Sequence, residues 1–172
     1  DLPRLKEVDW VVEAVVERLD IKRDLLKKVA AYVRPGTIVS SNTSGISLKD
    51  MVEGLPEEFT KYFLGTHFFN PPRYMKLFEL IPGPNTLPEV IEEMAFFAER
   101  VLGKGVVYAK DTPNFIANRI GVYGLVTTLK ELMKTELTID EVDELTGPVL
   151  GRPKSASFRT VDMVGIDTFV HV

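Results

Sequence analysis

Three short stretches bring together side chains able to move a proton and orient an oxygen: Ser41-Asn42-Thr43-Ser44, Thr66-His67-Phe68-Phe69-Asn70-Pro71, and Glu79. An imidazole changes charge near neutral pH, so His67 suits the removal of a proton from an alcohol. A carboxylate on a neighbouring strand would hold that ring in one tautomer and face its positive charge, a role open to Glu79. The Ser44 hydroxyl and the Asn42 amide offer directional hydrogen bonds to a substrate oxygen. The set suits hydroxyl–carbonyl interconversion. The chain has two histidines, the other being His171 beside the last residue.

The elements that must position these groups read as alternating strands and helices. Trp10 to Val15 is a short apolar run of the kind a buried parallel strand shows. Ile21, Leu25, Val29 and Val33 recur every fourth residue, predicting an amphipathic helix with Asp20 as N-cap and Pro35-Gly36 as its end. Strands are expected at 37–40, 63–68 and 105–109, and Met75 to Ile81 is a further extended run. Ser47 with Asp50 and Thr86 with Glu89 resemble capping boxes, the second opening a helix to about Leu102. His67 and Ser44 then fall just past strand ends, the place where open α/β sheets bind ligands. From Thr112-Pro113 a long helix is predicted to about Lys134, and Thr138 with Glu141 starts another. This places a boundary near Lys110 to Pro113, with an α/β domain of largely parallel sheet before it and helices after it.

Composition narrows the class. The 172 residues are 45% hydrophobic and 27% charged, with a net charge of −4, as in an ordinary globular protein. No run of lysines and arginines offers a nucleic-acid surface. Cysteine is absent, which excludes disulfides and thiolate metal sites, and no metal is expected. No apolar stretch has the length of a membrane span, and no signal peptide opens the chain, so a cytoplasmic location is expected.

Each candidate also has an ordinary reading. His67 before two phenylalanines could be a packed core histidine, Ser44 a turn residue, Glu79 a solvated strand-edge carboxylate and Asn118 a helix-surface amide. Glu17 and Lys22 could be charges around a helix start, and the stripe Leu125, Leu129, Leu132, Met133 is a helix core face.

Five landmarks, in order, change the weighting: Val11 to Glu17, Ser41 to Ser44, His67 to Pro71, Met75 to Glu79, and Lys110 to Arg119. Together they resemble the L-3-hydroxyacyl-CoA dehydrogenases, and Arg152 to Ala156 with Val164 to Thr168 is similar to that family's entry into its second domain. The wording is closest to the dehydrogenase part of large bacterial β-oxidation proteins that also carry an enoyl-CoA hydratase part. The resemblance implies NAD-dependent oxidation of 3-hydroxyacyl-CoA to 3-oxoacyl-CoA in fatty-acid β-oxidation. It implies His67 as general base, Glu79 as its orienting partner, Ser44 on the substrate oxygen, and Asn118 as an aid to their geometry. Glu17, Lys22, Ser44 and Asn70 match cofactor-contacting positions. The implied partners are a second copy or an attached hydratase domain.

One departure stands out. The family opens with a strand, a Gly-rich turn that cradles the pyrophosphate and a helix, but no Gly-x-Gly-x-x-Gly occurs in this chain. The expectation is therefore a fragment: an incomplete Rossmann-type, mostly parallel domain over residues 1–111, then the start of an all-helical domain over 112–172. By itself such a fragment is expected to bind NAD weakly, turn over slowly and self-associate through an uncovered sheet edge. A catalytically silent protein on the same scaffold, as a lens crystallin relative illustrates, is the alternative. A β-hydroxy acid dehydrogenase with a catalytic lysine is a third reading, opposed by His67-Phe68-Phe69-Asn70-Pro71.

Overall fold

Runs of β-branched and aromatic residues form strands because their side chains pack on a pleated, half-buried surface. In the computed structural model, which describes residues 2–166, five such runs build one sheet. The strands are β1 (Trp10–Glu13), β2 (Ile38–Ser41), β3 (Phe63–Phe68), β4 (Leu77–Pro82) and β5 (Gly105–Tyr108). Their spatial order follows the chain. The first three are mutually parallel, β4 runs antiparallel to β3, and β5 is parallel to β4.

Helices cover both faces. On one lie α1 (Leu19–Ala30), α2 (Leu48–Met51) and α3 (Glu57–Thr60), whose Leu26, Val29, Leu48, Met51 and Phe59 pack with Val39, Phe63 and Ile81 of the sheet. On the other lies α4 (Pro88–Arg100), whose Val90, Met94, Ala95 and Ala98 pack against Ile38, Leu64, Phe78 and Leu80. Alternate residues of each strand go to alternate faces, as the pleat requires. On the α1 face β1 to β4 each pass from an apolar residue to a polar one towards the end of β3: Val11 then Glu13, Val39 then Ser41, Phe63 then His67, and Ile81 then Glu79.

The chain divides into two compact units, Asp1–Phe115 and Ile116–Val172. The second is helical throughout its described regular structure: α5 (Ala117–Leu132), α6 (Ile139–Thr146), a 3-10 turn over Pro148–Leu150 and α7 (Phe158–Val164). Thr138 and Glu141 form the expected capping box of α6. The Asp143 carboxylate accepts from the backbone of Ser157, Phe158 and Arg159 at the start of α7, at 3.0, 2.7 and 2.8 Å. His171 and the end of the Val164-to-Thr168 landmark lie outside the described residues. Among the described residues no helix is long and apolar enough to cross a membrane.

Three local expectations need correction. Asp20 does not cap α1; Arg18 is the N-cap, and Asp20, inside the first turn, pairs with its guanidinium at 2.7 Å. Thr86 does not box α4, because its hydroxyl is engaged by the preceding strand ends. It donates to the Phe63 carbonyl and accepts from Gly83 N, so Leu87 takes the N-cap and Pro88 opens the helix. The helix expected from Thr112-Pro113 begins only at Ala117, since Asn114 and Phe115 are left-handed, with φ of 63° and 44°.

Gly65 on β3 sits where β4 and α2 leave little room for a side chain. A Cβ there would lie 3.0 Å from Ile81 Cβ and Cδ1 and 3.1 Å from Leu48 Cδ1. Gly65→Ala is therefore expected to cost about 1–3 kcal/mol, as overpacking does, read as a lower urea midpoint at constant m-value.

Candidate active site

The carboxyl ends of β1, β2 and β3 carry a hydrogen-bonded series of polar side chains. His67 and Glu79 stand directly opposite each other on β3 and β4, and His67 Nδ1 lies 2.7 Å from Glu79 Oε2. Both are buried, at 4% and 0% exposure. A carboxylate accepts and cannot donate, so Nδ1 carries the proton and Nε2 of the neutral ring is left with its lone pair. Ser44 Oγ lies 3.2 Å from that Nε2 and donates to it. Two phenyl rings enclose the imidazole, Phe69 at 4.5 Å and Phe115 at 5.5 Å between centroids.

Ser44 stands on the loop after β2, and a second carboxylate shapes that loop. Glu17 Oε1 accepts from Thr43 Oγ1 at 2.6 Å, Ser44 N at 2.9 Å and Gly45 N at 3.0 Å. Its other oxygen lies 3.2 Å from Lys22 Nζ. Burial alone would push this carboxyl up. The bonds from Thr43, Gly45 and Ser44, with the Lys22 charge, outweigh it and hold Glu17 below the usual carboxylate range.

Lys22 itself is 1% exposed. Its ammonium donates to both oxygens of Glu13, at 2.8 and 3.0 Å, and to the Val15 carbonyl at 3.1 Å. Glu13 also accepts from Val15 N and from Ser41 Oγ, so no lone pair of that buried carboxylate faces hydrocarbon. Asn42 closes the series: its amide oxygen accepts from Phe68 N at 2.9 Å, and its backbone N donates to Glu13 O at 2.8 Å.

Residues 1–112 match the family described as 3-hydroxyacyl-CoA dehydrogenase, NAD binding domain. The chain belongs to that family. A protein of Bacillus subtilis named probable 3-hydroxyacyl-CoA dehydrogenase is 57% identical over 172 residues, covering 100% of this chain and 22% of that protein. The fatty acid oxidation complex subunit alpha of Acinetobacter baylyi is 36% identical over 168 residues, covering 96% of this chain and 22% of that one. The crystal structure of (S)-3-hydroxybutyryl-CoA dehydrogenase from Ralstonia eutropha superposes with a TM-score of 0.88 at 30% identity, covering 99% of this chain and 59% of that chain. This chain thus spans only part of each protein it resembles.

The residues singled out from sequence fall into four groups, three of them within the NAD-binding domain and one in the second unit. Ser44, His67 and Glu79 form one hydrogen-bonded line, and Glu17 joins it through Ser44 N. Lys22 stands behind Glu17 with its donors engaged by Glu13, Glu17 and Val15. Asn70 is exposed at the start of the loop after β3, a loop pinned by Lys104, which donates to the carbonyls of Pro72 and Met75. Asn118 stands half-buried in the first turn of α5, in the second unit. Sequence reasoning assigned no role to Glu13, Ser41, Thr43 or Phe115. Of these, Glu13 had a faint signal: a carboxylate at the end of an apolar strand run, nine residues before a lysine on the next helix.

The lowered Glu17 carboxyl sets a pH dependence. An acid whose folded value lies below its ordinary 4.5 contributes stability above that pH and loses it as pH falls through the lowered value. The stability difference between the unaltered protein and Glu17→Gln should therefore shrink as pH is stepped down below about 4.5. A difference constant with pH in urea titrations would contradict the assignment. Lys22→Met should cost about 3 kcal/mol or more by leaving Glu13 buried without its cation. Adding Glu13→Gln should return much of that loss in the same equilibrium unfolding assay.

Proposed function

We propose that the protein carrying this chain oxidises L-3-hydroxyacyl-CoA to 3-oxoacyl-CoA with NAD, as a step of fatty-acid β-oxidation. The observation that carries the reading is the line Ser44 Oγ–His67 Nε2, His67 Nδ1–Glu79 Oε2 at the carboxyl ends of parallel strands. His67 Nε2 takes the proton of the 3-hydroxyl, while Glu79 keeps Nδ1 protonated and faces the positive charge the ring acquires. Ser44 Oγ, beside the same nitrogen, directs its hydrogen bond to the oxygen as the carbonyl forms. NAD, when bound, supplies the acceptor for the hydride leaving C3. Phe69 and Phe115 pack against the imidazole and limit water around it during the transfer, and the proton His67 has taken passes to solvent once the product leaves.

The residues on the page fit that cofactor. Glu17 is 42% exposed in its side chain and offers carboxylate acceptors to ribose hydroxyls at the sheet's carboxyl end. Asn70 offers an exposed amide from the next loop, and Lys22 acts on the same region through Glu17. Asn118 is assigned to holding the histidine and serine in register. The same reading places the protein in the cytoplasm, paired with a second copy or attached to a hydratase domain. Its similarity to a fatty acid oxidation complex subunit supports the last of these.

The test is His67→Gln in the protein carrying this chain, with NADH absorbance followed on 3-hydroxybutyryl-CoA. Loss of the base should lower kcat by about 10²–10⁴-fold, with the circular dichroism spectrum and KM for NAD nearly unchanged. Equal rates in the two proteins would instead support a silent scaffold.

A further inference from the structure

We propose that Asp111, with the Asn114-Phe115 turn that follows it, is a positioning clasp for the Ser44–His67 pair; this rests on the functional reading above. The Asp111 carboxylate accepts three hydrogen bonds from residues more than sixty positions earlier: Ser47 Oγ at 3.0 Å, Leu48 N at 2.9 Å and Lys49 N at 3.0 Å. Those donors lie at the far end of the loop that carries Ser44. Its near end is held by Glu17 through Thr43, Ser44 and Gly45. Ser44 therefore hangs between two carboxylates on a segment that is neither strand nor helix, and its 3.2 Å contact with His67 Nε2 depends on both anchors.

The residues after Asp111 reach the same two places. A Cβ on Gly45 would lie 3.4 Å from Asn114 Oδ1, so the Asn114 side chain lies against the Ser44 loop. Phe115 is 3% exposed and sets its ring 5.5 Å from the imidazole of His67. It does so from a left-handed backbone, as Asn114 does beside it. Asparagine adopts that conformation readily, but a bulky aromatic residue holds it only where its surroundings impose it, and such departures gather at functional sites. A carboxylate needed only to cap α2 would not require the next four residues to fold back over the histidine.

Asp111 is thus a positioning residue, acting through Ser44 and never touching substrate. In the protein carrying this chain, Asp111→Ala should lower kcat for 3-hydroxybutyryl-CoA oxidation about tenfold or more through misplacement of Ser44, with KM for NAD within about twofold. Asp111→Asn, whose amide oxygen still accepts from Leu48 N, should recover most of the rate. Val90→Ala, on the opposite sheet face, serves as a control for lost stability alone. A readout independent of turnover is the ¹⁵N resonance of His67 Nε2, assigned by its disappearance in His67→Gln. That resonance should move in Asp111→Ala, less in Asp111→Asn, and not in Val90→Ala, while Nδ1, held by Glu79, stays in place. An unmoved Nε2 resonance in folded Asp111→Ala overturns the clasp, as do kinetic changes matching those of Val90→Ala. If Asp111→Ala does not fold, Asp111→Asn decides by the same resonance. If the unaltered protein does not oxidise the substrate, the functional reading fails and the resonance alone judges the clasp.

Discussion

A carboxylate facing an imidazole across two antiparallel strands, out of reach of water, constrains the rest of this molecule. His67 Nδ1 donates to Glu79 and so helps keep it there as an anion, since an uncompensated buried charge is expensive. The reversal of β4 is what makes the pairing available. His67 stands near the carboxyl end of β3, and a parallel neighbour would bring its own last residues to that level. An antiparallel neighbour brings its first ones, and Glu79 is the third residue of β4. The departure from an all-parallel sheet is therefore the device that seats the carboxylate beside the imidazole. Once Nδ1 is fixed as donor, Nε2 is left to deal with whatever the Ser44 loop and the opening beside it present.

The same sheet face repeats this logic one pleat earlier. Glu13 and Ser41 are register partners on β1 and β2, and Lys22 descends from α1 to neutralise the carboxylate. Lys22 also binds Glu17, so one buried cation serves two anions, one interior and one at the surface. Glu17 in turn spends one oxygen on three donors of the Ser44 loop. The route from the core charge pair to the candidate base passes through the Lys22–Glu17 ion pair and then through the hydrogen bonds of the Ser44 loop. Apolar packing could not give such directional control, because dispersion contacts do not specify which way a backbone N–H points.

Much of the strand and helix framework was legible in the sequence, because it is written in periodicity. Phe63 to Phe68 reads as a short buried run, and the strand is found over the expected residues. His67, Glu79 and Ser44 could be placed near strand ends on residue type alone, and the family resemblance supplied their roles. Direction and long-range partners were not legible. Nothing in Leu77 to Pro82 tells a parallel strand from an antiparallel one. Asp20 and Thr86 have the right chemistry for caps, yet a near neighbour, the Arg18 guanidinium, engages the first and a distant one, the Phe63 carbonyl, the second. In Thr112 to Phe115, proline advertises a helix start, whereas the left-handed turn answers to contacts made far back in the chain. Lys22 read by residue type as a charge beside a helix start; its burial depends on Glu13, whose position at the end of an apolar strand run was only a faint signal.

Loops that carry chemistry present a particular difficulty, since their backbone donors have no ladder to join and must still be satisfied. Here acidic side chains meet that need. Glu17 serves the loop after β2 at one end and Asp111 at the other, Glu13 serves the turn after β1 at Val15, and Asp143 does the same for α7 in the second unit. A carboxylate suits this role because it accepts several bonds at once, and charge-assisted bonds are stronger than neutral ones. Its burial costs desolvation, which is tolerable only where each oxygen finds donors, so geometry and protonation become linked. Fixing the loop requires the anion, and keeping the anion requires the loop. That mutual dependence ties a serine on an irregular segment to a histidine on a rigid strand, with Glu17 and Asp111 holding the two ends of the segment.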